Sequence, residues 1–241
     1  MLYDIAKGPV RTVIRAVWRP DLRGADRIPA TGPVVLASNH CAYSDTVILP
    51  ALIERTVHFL GKSDMFSSRS AAGRIGGWIM RQLRVMPVDR AGGSASEAAI
   101  GAGLAVLRSG GVLGIYPEGT RSPDGRLHRG KTGVARLALA VDAPIVPVAM
   151  IGSFEAQRGR RFLPRRHPRI RVLVGEPIDA PAIARSLGDA ERAVVLRAVT
   201  DAVMDAIAEM SGQERVDEYA GDVKRRLREA ASPASRGARR S

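Results

Sequence analysis

The chain contains one cysteine, few aromatic residues and no long apolar run, and each shortage excludes a class of protein. Because Cys41 is the only cysteine among 241 residues, an intrachain disulfide framework and a multi-cysteine zinc site are both excluded. Aromatic residues amount to 4% of the chain, which weighs against a surface that stacks single-stranded bases. No stretch provides the roughly 18 consecutive apolar residues of a membrane-spanning helix. The hydrophobic content of 45% still suffices to bury the core of one large domain.

Positive charge is the property in excess. Lysine and arginine number 37 against 24 aspartates and glutamates, which gives a net charge of +13. This charge favours an anionic partner, and nucleic acid, an anionic bilayer and a phosphorylated substrate all remain open on charge alone. Cations interrupt the apolar residues near the N-terminus, so we expect no signal peptide, with an arginine-rich transit peptide as a minor alternative. The single cysteine favours a reducing, cytoplasm-facing environment.

Residues 2–18 show helical periodicity and predict an amphipathic helix within an N-terminal segment, 1–20. Cations recur every four residues on one side, at Lys7, Arg11, Arg15 and Arg19. Two interpretations remain open, namely a helix at the membrane interface and an ordinary amphipathic helix packed on the domain. The apolar stripe consists of Leu2, Ile5, Ala6, Val10, Val13, Ile14, Val17 and Trp18.

Strand and helix patterns alternate after Pro20, which predicts an α/β fold with a mixed, mainly parallel sheet flanked by helices. The predicted strands are 33–38, 56–61, 83–88, 112–116, 143–151 and 169–175. The predicted helices lie near 45–54, 71–82, 94–109, 131–141 and 189–210. The pattern decays after about Ser211, and residues 232–241 have a composition typical of disorder. We therefore predict a catalytic domain at 21–211 and a basic, partly disordered C-terminal tail at 212–241.

A histidine and an aspartate stand where an apolar strand stops. His40 and Asp45 follow the predicted strand, at the carboxyl edge where open α/β proteins build their sites. Five helical steps would place the two side chains apart, so they can meet only if His40 ends a loop and Asp45 enters a helix, with Ser44 as its candidate cap. Asp45 would then fix the tautomer of His40, whose other nitrogen could take a proton from an alcohol. The alternative is a surface histidine beside a helix-capping aspartate.

The other candidates for a base or nucleophile are weaker. His58 lies inside a predicted strand, and His128 and His167 lie in polar, arginine-rich loops. Cys41 adjoins His40 and could carry an acyl group, but a buried small hydrophobe is the commoner role of such a cysteine.

Cationic residues follow other predicted strands in the same way. The run Glu118-Gly119-Thr120-Arg121 offers a glycine that lets the backbone approach a ligand and a guanidinium suited to bidentate phosphate binding. Lys62 could place a second cation at this edge, and Arg90 and Lys131 are further candidates that could equally be solvated surface cations. A base, its carboxylate and a cationic anchor suit acyl transfer to a phosphorylated alcohol. The candidate substrate-binding residues are Lys62, Arg90, Glu118, Gly119, Thr120, Arg121 and Lys131.

Residues 125–132 match the G-x-x-x-x-G-K-[ST] pattern of a nucleotide-binding loop, so a kinase or ATPase remains a rival function. A phosphate loop should follow its strand directly, yet Pro117 to Asp124 intervene, and the inner positions are bulky. No later apolar strand ends in an aspartate that would position magnesium. A second rival is a non-catalytic basic protein that binds nucleic acid or membrane through its arginines.

Four segments together resemble the motifs of the 1-acylglycerol-3-phosphate acyltransferase (lysophosphatidate acyltransferase) family. They are Asn39 to Asp45, Gly61 to Phe66, Tyr116 to Ser122 and Pro144 to Val148, in the order of the family. The sequence departs from the usual motifs in three places. Ala42 replaces a serine, whose loop hydrogen bond Ser44 could supply, Asp64 replaces a glutamate, and Tyr116 replaces a phenylalanine.

The resemblance implies that His40 is the general base and Asp45 its partner, while Lys62 and Arg121 hold a glycerol phosphate in a pocket shaped by residues 118–119. It implies a direct attack of the lysophosphatidate hydroxyl on a thioester, acyl-CoA or acyl carrier protein, without a metal or other cofactor. The expected partners are acyl-CoA, lysophosphatidic acid and an anionic membrane surface, with no nucleic acid. We therefore expect a peripheral protein on the cytoplasmic face of a membrane. Glycerol 3-phosphate, another lysophospholipid or a glycolipid remain open as acceptors.

Overall fold

A long first helix precedes a region in which strands and helices alternate. The structure, a computed structural model, describes residues 2–62, 84–88, 95–158 and 163–231. Its strands are β1 (Asp21–Arg23), β2 (Val34–Ser38), β3 (Val57–Lys62), β4 (Val85–Val88), β5 (Val112–Ile115), β6 (Leu127–His128), β7 (Ile145–Ile151), β8 (Arg171–Val174) and β9 (Arg215–Val216). Its helices are α1 (Leu2–Trp18), α2 (Asp45–Leu52), α3 (Ala95–Arg108), α4 (Gly133–Leu139), α5 (Ser153–Ala156), α6 (Ala180–Ser186), α7 (Arg192–Ser211) and α8 (Ala220–Ala231), and Ala25–Arg27 forms a 3-10 turn.

Seven of these strands form one mixed sheet in the order β1-β8-β7-β2-β5-β3-β4, while β6 and β9 pair separately. Neighbours in the large sheet run parallel, except that β7 and β8 are antiparallel. The predicted class, a mixed and mainly parallel sheet flanked by helices with an N-terminal helix, is confirmed. Because β2, β3, β5 and β7 run in the same direction, the polar segments after Ser38 and Ile115 begin at one edge of the sheet.

The central strand β2 is buried on both faces. Val34 and Leu36 pack in one apolar cluster with residues of α1 and α2, whereas Val35 and Ala37 pack in a second cluster with α3, α4 and α7. A continuous apolar run is what a parallel strand needs when helices cover both faces of its sheet.

The six predicted strands correspond to β2, β3, β4, β5, β7 and β8, with ends that differ by at most two residues. The helix predicted at 71–82 lies outside the described residues. The sequence patterns missed β1, β6, β9, α5 and α6, because elements this short do not show a periodicity.

The region beyond Ser211 carries more structure than its sequence pattern indicates. β9 pairs in parallel with β6, and α8 follows with Ala220 and Val223 buried against the domain. The expected decay of structure is therefore wrong for residues 215–231. Half of the residues of α8 are charged, so its narrow apolar side gives a weak pattern in the sequence. Residues 232–241 lie outside the described part, and the domain boundaries stay predictions.

Helix α1 packs on the domain through part of its apolar stripe. Ile14 is buried in the core, and the indole Nε1 of Trp18 donates to the carbonyl of Pro164 at 2.9 Å. Val13, in contrast, is 55% exposed. Part of the apolar stripe therefore packs against the domain, as in an ordinary amphipathic helix, whereas Val13 faces outward. Within the ranges given above, no helix is long and apolar enough to cross a membrane.

Gly114 in β5 makes room for the ring of Phe59 on the neighbouring strand β3. A Cβ atom at Gly114 would stand 2.4 Å from that ring, and Phe59 is buried in the core. We expect Gly114→Ala to lower the free energy of unfolding by about 1–3 kcal/mol, the usual cost of overpacking a core. Denaturant titration measures this change.

Gly101 in α3 provides the matched control, because a Cβ atom there would meet nothing within 4 Å. Gly101→Ala should raise the free energy of unfolding by roughly 0.5–1 kcal/mol, since alanine favours the helix. Equal effects of the two substitutions would contradict the packing argument.

Candidate active site

Asn39 fixes the start of the loop that leaves β2. Its side-chain Nδ2 donates to the carbonyl of Met150 at 2.9 Å, and the backbone N–H of Met150 donates to Asn39 Oδ1 at 2.7 Å. This reciprocal pair continues the bonding between β2 and β7 beyond the end of β2. The backbone of the next residue, His40, is therefore held at the sheet edge.

The two side chains predicted to form the base meet. Nδ1 of His40 lies 3.1 Å from Oδ2 of Asp45, and Asp45 is the first residue of α2. The same oxygen accepts the backbone N–H groups of Cys41 at 2.8 Å and Ala42 at 2.7 Å. The loop thus closes around one oxygen of a fully buried carboxylate.

This arrangement decides which ring nitrogen of His40 is available for chemistry. A carboxylate can only accept hydrogen bonds, so Nδ1 of His40 carries a proton and donates its N–H to Asp45. Nε2 is then the basic nitrogen, and no group among the described residues hydrogen-bonds to it. Such a nitrogen can take a proton from a bound hydroxyl group.

Stacked rings hold the plane of the His40 imidazole. The ring centroid of Tyr116 lies 3.9 Å from that of His40 at an interplanar angle of 14°. Phe59 in turn stacks on Tyr116, with a distance of 5.3 Å between the ring centroids. The Tyr116 hydroxyl is buried with no hydrogen-bond partner in the described part, and burial raises its pKa. Tyrosine therefore serves here as an aromatic ring, as phenylalanine would.

Glu118 ties the segment after β5 to the loop after β2. Its side chain is 1% exposed, and its two oxygens accept the backbone N–H groups of His40 at 3.3 Å and His128 at 2.9 Å. Ser122 N–H also donates to the His40 carbonyl at 2.7 Å. Burial raises the pKa of Glu118 to about 8, although these two hydrogen bonds oppose the shift. The position fits a residue that shapes the pocket rather than one that contacts the substrate directly.

Arg121 stands beside this loop at the mouth of a cleft. Its guanidinium carbon lies 3.5 Å from the ring centroid of Tyr43, and the Tyr43 ring is 56% exposed. The cleft has a volume of about 230 Å³, and Arg121 and Lys224 both line it. The remaining lining residues are Cys41, Ser122, Pro123, Phe154, Gln157 and Arg158.

Gly119 brings Lys131 close to the same segment. Gly119 adopts a left-handed conformation with φ +73°, and a Cβ atom there would stand 3.3 Å from Nζ of Lys131. The backbone N–H of Lys131 donates to the carbonyl of Pro117 at 2.8 Å. The structure therefore gathers Glu118, Gly119, Thr120, Arg121 and Lys131 next to the His40 loop.

Comparison with known proteins agrees with this geometry. The profile of the Acyltransferase family matches residues 19–151, which is more than half of the chain. The chain belongs to the Acyltransferase family. The matched part contains His40, Asp45 and the segment around Arg121.

Relatives within the Acyltransferase family carry the name of one enzyme. The 1-acyl-sn-glycerol-3-phosphate acyltransferase of Bacillus subtilis is 27% identical over 88% of this chain and 98% of its own length. The chloroplastic 1-acyl-sn-glycerol-3-phosphate acyltransferase of Brassica napus is 27% identical over 72% of this chain, which spans 49% of that relative. The chain thus covers about half of the plant relative and nearly all of the bacterial one.

A solved structure has the same fold. The 1-acyl-sn-glycerophosphate acyltransferase PlsC from Thermotoga maritima superimposes with a TM-score of 0.60 at 22% identity, over 86% of this chain and 82% of that one. At this level of identity the likeness concerns the fold of the Acyltransferase family.

Two of the predicted substrate-binding residues cannot be placed. The side chain of Lys62 lies outside the described part, although its backbone ends β3 at the same edge of the sheet. Arg90 lies outside the described residues altogether. Their predicted roles remain predictions.

Two expectations about side chains of this region are wrong. Ser44 precedes α2 but makes no side-chain capping bond, and its buried hydroxyl has no partner in the described chain, so it does not replace the hydrogen bond lost at Ala42. His128, predicted to lie in a polar, arginine-rich loop, belongs to β6 instead. It is buried, and its Nε2 is 2.9 Å from Oδ1 of Asp124.

Residues 125–132 do not form a phosphate-binding loop. Leu127 and His128 belong to β6, which pairs with β9. A Cβ atom at Gly130 would stand 2.9 Å from the side chain of Met204, so the backbone there faces α7. The motif match therefore does not correspond to a nucleotide site in this fold of the Acyltransferase family.

Sequence reasoning missed Gln213, which links the loop after β2 to the segment that follows Arg121. Its Oε1 accepts from Asn39 Nδ2 at 2.6 Å, and its Nε2 donates to the Gly125 carbonyl at 2.6 Å. It also lies 3.4 Å from the sulfur of Cys41. Gln213 lies beyond the part matched by the Acyltransferase profile, and a lone glutamine between two helices gives no signal in one sequence.

The thiol of Cys41 is poorly suited to carry an acyl group. Burial, followed by the negative charges of Asp45 and Glu118, raises the pKa of Cys41. The thiol therefore stays protonated, which argues against a thiolate that carries an acyl group. Among the described residues, no group of three or more histidine, cysteine, aspartate or glutamate side chains is arranged to hold a metal ion.

Glu118→Gln tests the role of the buried carboxyl group. Glutamine has one acceptor oxygen, so the backbone N–H of either His40 or His128 would lose its partner, at a cost of about 1–3 kcal/mol. The pKa of Glu118 is about 8 in the folded protein against an ordinary value of 4.5. Between about pH 5 and pH 8 the unfolded chain binds fewer protons at this residue than the folded protein, so its contribution to stability falls as pH rises.

The wild type should therefore be more stable than Glu118→Gln, and this difference in the free energy of unfolding should be smaller at pH 8 than at pH 5. Denaturant titration at the two pH values measures it. Glu229→Gln, which removes an exposed carboxylate, should change stability by no more than about 0.5 kcal/mol. A difference between wild type and Glu118→Gln that does not vary with pH would contradict the raised pKa.

Proposed function

We propose that this chain transfers a fatty acyl group from a thioester to the free hydroxyl of 1-acylglycerol 3-phosphate, giving phosphatidate. The observation that carries the proposal is the His40–Asp45 pair, 3.1 Å apart, in a loop that also contacts Arg121 through Tyr43. The names of the relatives from Bacillus subtilis and Brassica napus support the same acceptor.

The reaction needs a base that accepts one proton and can return it. Nε2 of His40 removes the proton of the acceptor hydroxyl, and Asp45 stabilises the imidazolium that forms. The oxygen attacks the thioester carbonyl, and the tetrahedral intermediate collapses with cleavage of the carbon–sulfur bond. The thiolate then takes the proton from Nε2, so the products are an ester and a free thiol. General-base help of this kind is typically worth 10²–10⁴ in rate.

The acceptor must also be held in register with the thioester. Arg121 presents a planar guanidinium, which matches phosphate oxygens bidentately. Lys131 adds a second positive charge beside Gly119. Anchoring the phosphate orients the hydroxyl toward His40, and orientation alone can contribute several kcal/mol to catalysis. We further propose that the donor is acyl-CoA or acyl carrier protein and that the reaction uses no metal.

His40→Ala tests the proposed base. The rate of free-thiol release from acyl-CoA, dependent on 1-acylglycerol 3-phosphate, should fall by about 10²–10⁴, while the melting temperature stays close to that of the wild type. His167→Ala is the matched control, because His167 is exposed in a loop, and it should keep full activity. Retained turnover in His40→Ala would reject the base assignment.

We also propose that α1 lies on the anionic, cytoplasmic surface of a membrane as a peripheral contact. Val13 and Arg15 are both exposed on α1, on either side of buried Ile14, so an apolar side chain can enter the headgroup region and a cation can bind anionic lipid. This placement would reduce the cost of drawing long-chain substrates from the bilayer, about 0.8 kcal/mol per methylene.

Val13→Asp should weaken binding to vesicles that contain phosphatidylglycerol by about tenfold, since it removes apolar burial and adds a repelled charge. Val194→Asp is the control, because Val194 is 50% exposed on α7, which covers the opposite face of the sheet. Cosedimentation measures both variants. Equal losses would reject α1 as the contact.

A further inference from the structure

Helix α8 brings a further cation to the cleft beside the His40 loop. Nζ of Lys224 lies 3.4 Å from Oγ1 of Thr120, the residue before Arg121. Lys224 and Arg121 both line the cleft. Lys224 lies well beyond residues 19–151, so the family profile does not include it.

The packing of α8 fixes where Lys224 lies. Ala220 and Val223 are buried against the domain, and the ring of Tyr219, just before the helix, lies under the guanidinium of Arg129 at 5.6 Å. Lys224 follows Val223 directly and is half-buried. Its ammonium group is therefore held at the edge of the domain, next to Thr120, instead of extending into water.

Among the described residues, Lys224 has no anionic partner, whereas a neighbouring cation of the same helix has one. Arg225 pairs with Asp222 at 2.9 Å. In the described part of the chain, no carboxylate lies within ion-pair distance of Lys224 or Arg121. Of the three cations that line the cleft, Arg121, Arg158 and Lys224, Lys224 and Arg121 are thus left available to a ligand.

The local field agrees with this geometry. Burial, and then the positive charges of Arg121 and Arg228, lower the pKa of Lys224. Like charges held near one another repel, and a bound anion would offset that repulsion.

We propose that Lys224 and Arg121 together bind the phosphate of the acceptor, so that the C-terminal helix contributes to acceptor specificity. This inference rests on the proposed function and adds a residue to it. A guanidinium can donate hydrogen bonds to two phosphate oxygens, and an ammonium group can place a positive charge beside a third. Cys41 and Ser122 line the cleft, and the backbone N–H of Ser122 donates to the His40 carbonyl, so an acceptor anchored there lies beside the His40 loop.

The size of the cleft favours the acceptor over the nucleotide part of a coenzyme A donor. Its volume of about 230 Å³ lies below the roughly 300–1,000 Å³ of sites that enclose drug-sized ligands. A glycerol phosphate headgroup is much smaller than a phosphorylated nucleotide. The phosphate that Lys224 meets is therefore that of the acceptor.

The test compares Lys224→Met with Arg225→Met, because both remove one positive charge from α8 but only Lys224 lines the cleft. Initial rates are measured with varied 1-acylglycerol 3-phosphate and, separately, with varied acyl-CoA. Lys224→Met should raise the acceptor KM about tenfold, the loss expected for one charge-assisted hydrogen bond, and leave the acyl-CoA KM unchanged. Arg225→Met should change neither constant, and Lys224→Arg should restore most of the acceptor affinity.

A phosphate-free acceptor, 1-acylglycerol, provides a second arm, on which wild type and Lys224→Met should have equal rates. The inference is overturned if Lys224→Met matches Arg225→Met on the phosphorylated acceptor, or if it raises the acyl-CoA KM alone. Should the wild type fail to acylate 1-acylglycerol 3-phosphate at all, the proposed function falls, and the Lys224 assignment falls with it. Melting temperatures within about 2 °C of the wild type show that the variants fold.

Discussion

The site depends on one carboxylate oxygen, Oδ2 of Asp45. Three N–H groups converge on it, from the His40 ring and from the backbones of Cys41 and Ala42. An aspartate at the start of a helix would ordinarily satisfy backbone donors of that helix, whereas this one turns back to the loop that precedes it. One acceptor atom therefore both shapes the loop and orients the imidazole of His40.

A second carboxyl group extends this arrangement to the segment that carries Arg121, the proposed phosphate anchor. Glu118 joins the backbones of His40 and His128, and the residues that follow it carry Arg121 to the cleft. Stacking of Tyr116 on His40 adds a contact between the same two segments. The proposed base and the proposed anchor thus lie on two segments that hydrogen bonds and ring stacking hold together. The distance between the two backbone segments is therefore fixed by buried contacts.

Much of the fold and the core of the site could be predicted from the sequence. The apolar runs located the strands that position His40 and Arg121, because a strand buried on both faces must be continuously apolar. The hydrogen bonds of Glu118 and Gln213 could not be predicted, since they join residues that are distant in the chain and leave no periodicity. Lys224 was missed for a related reason: α8 carries several cations, and only its packing distinguishes one of them from the rest.

The bridging position of Gln213 has a consequence for the order in which the protein can assemble. Asn39 fixes the His40 loop near the start of the chain, yet it donates one of its hydrogen bonds to a residue beyond α7. The segment after Arg121 likewise depends on a late part of the chain, because β6 pairs with β9. During synthesis the large sheet can form before residues 213–216 emerge, but the His40 loop acquires its hydrogen bond to Gln213 only after these residues have folded back.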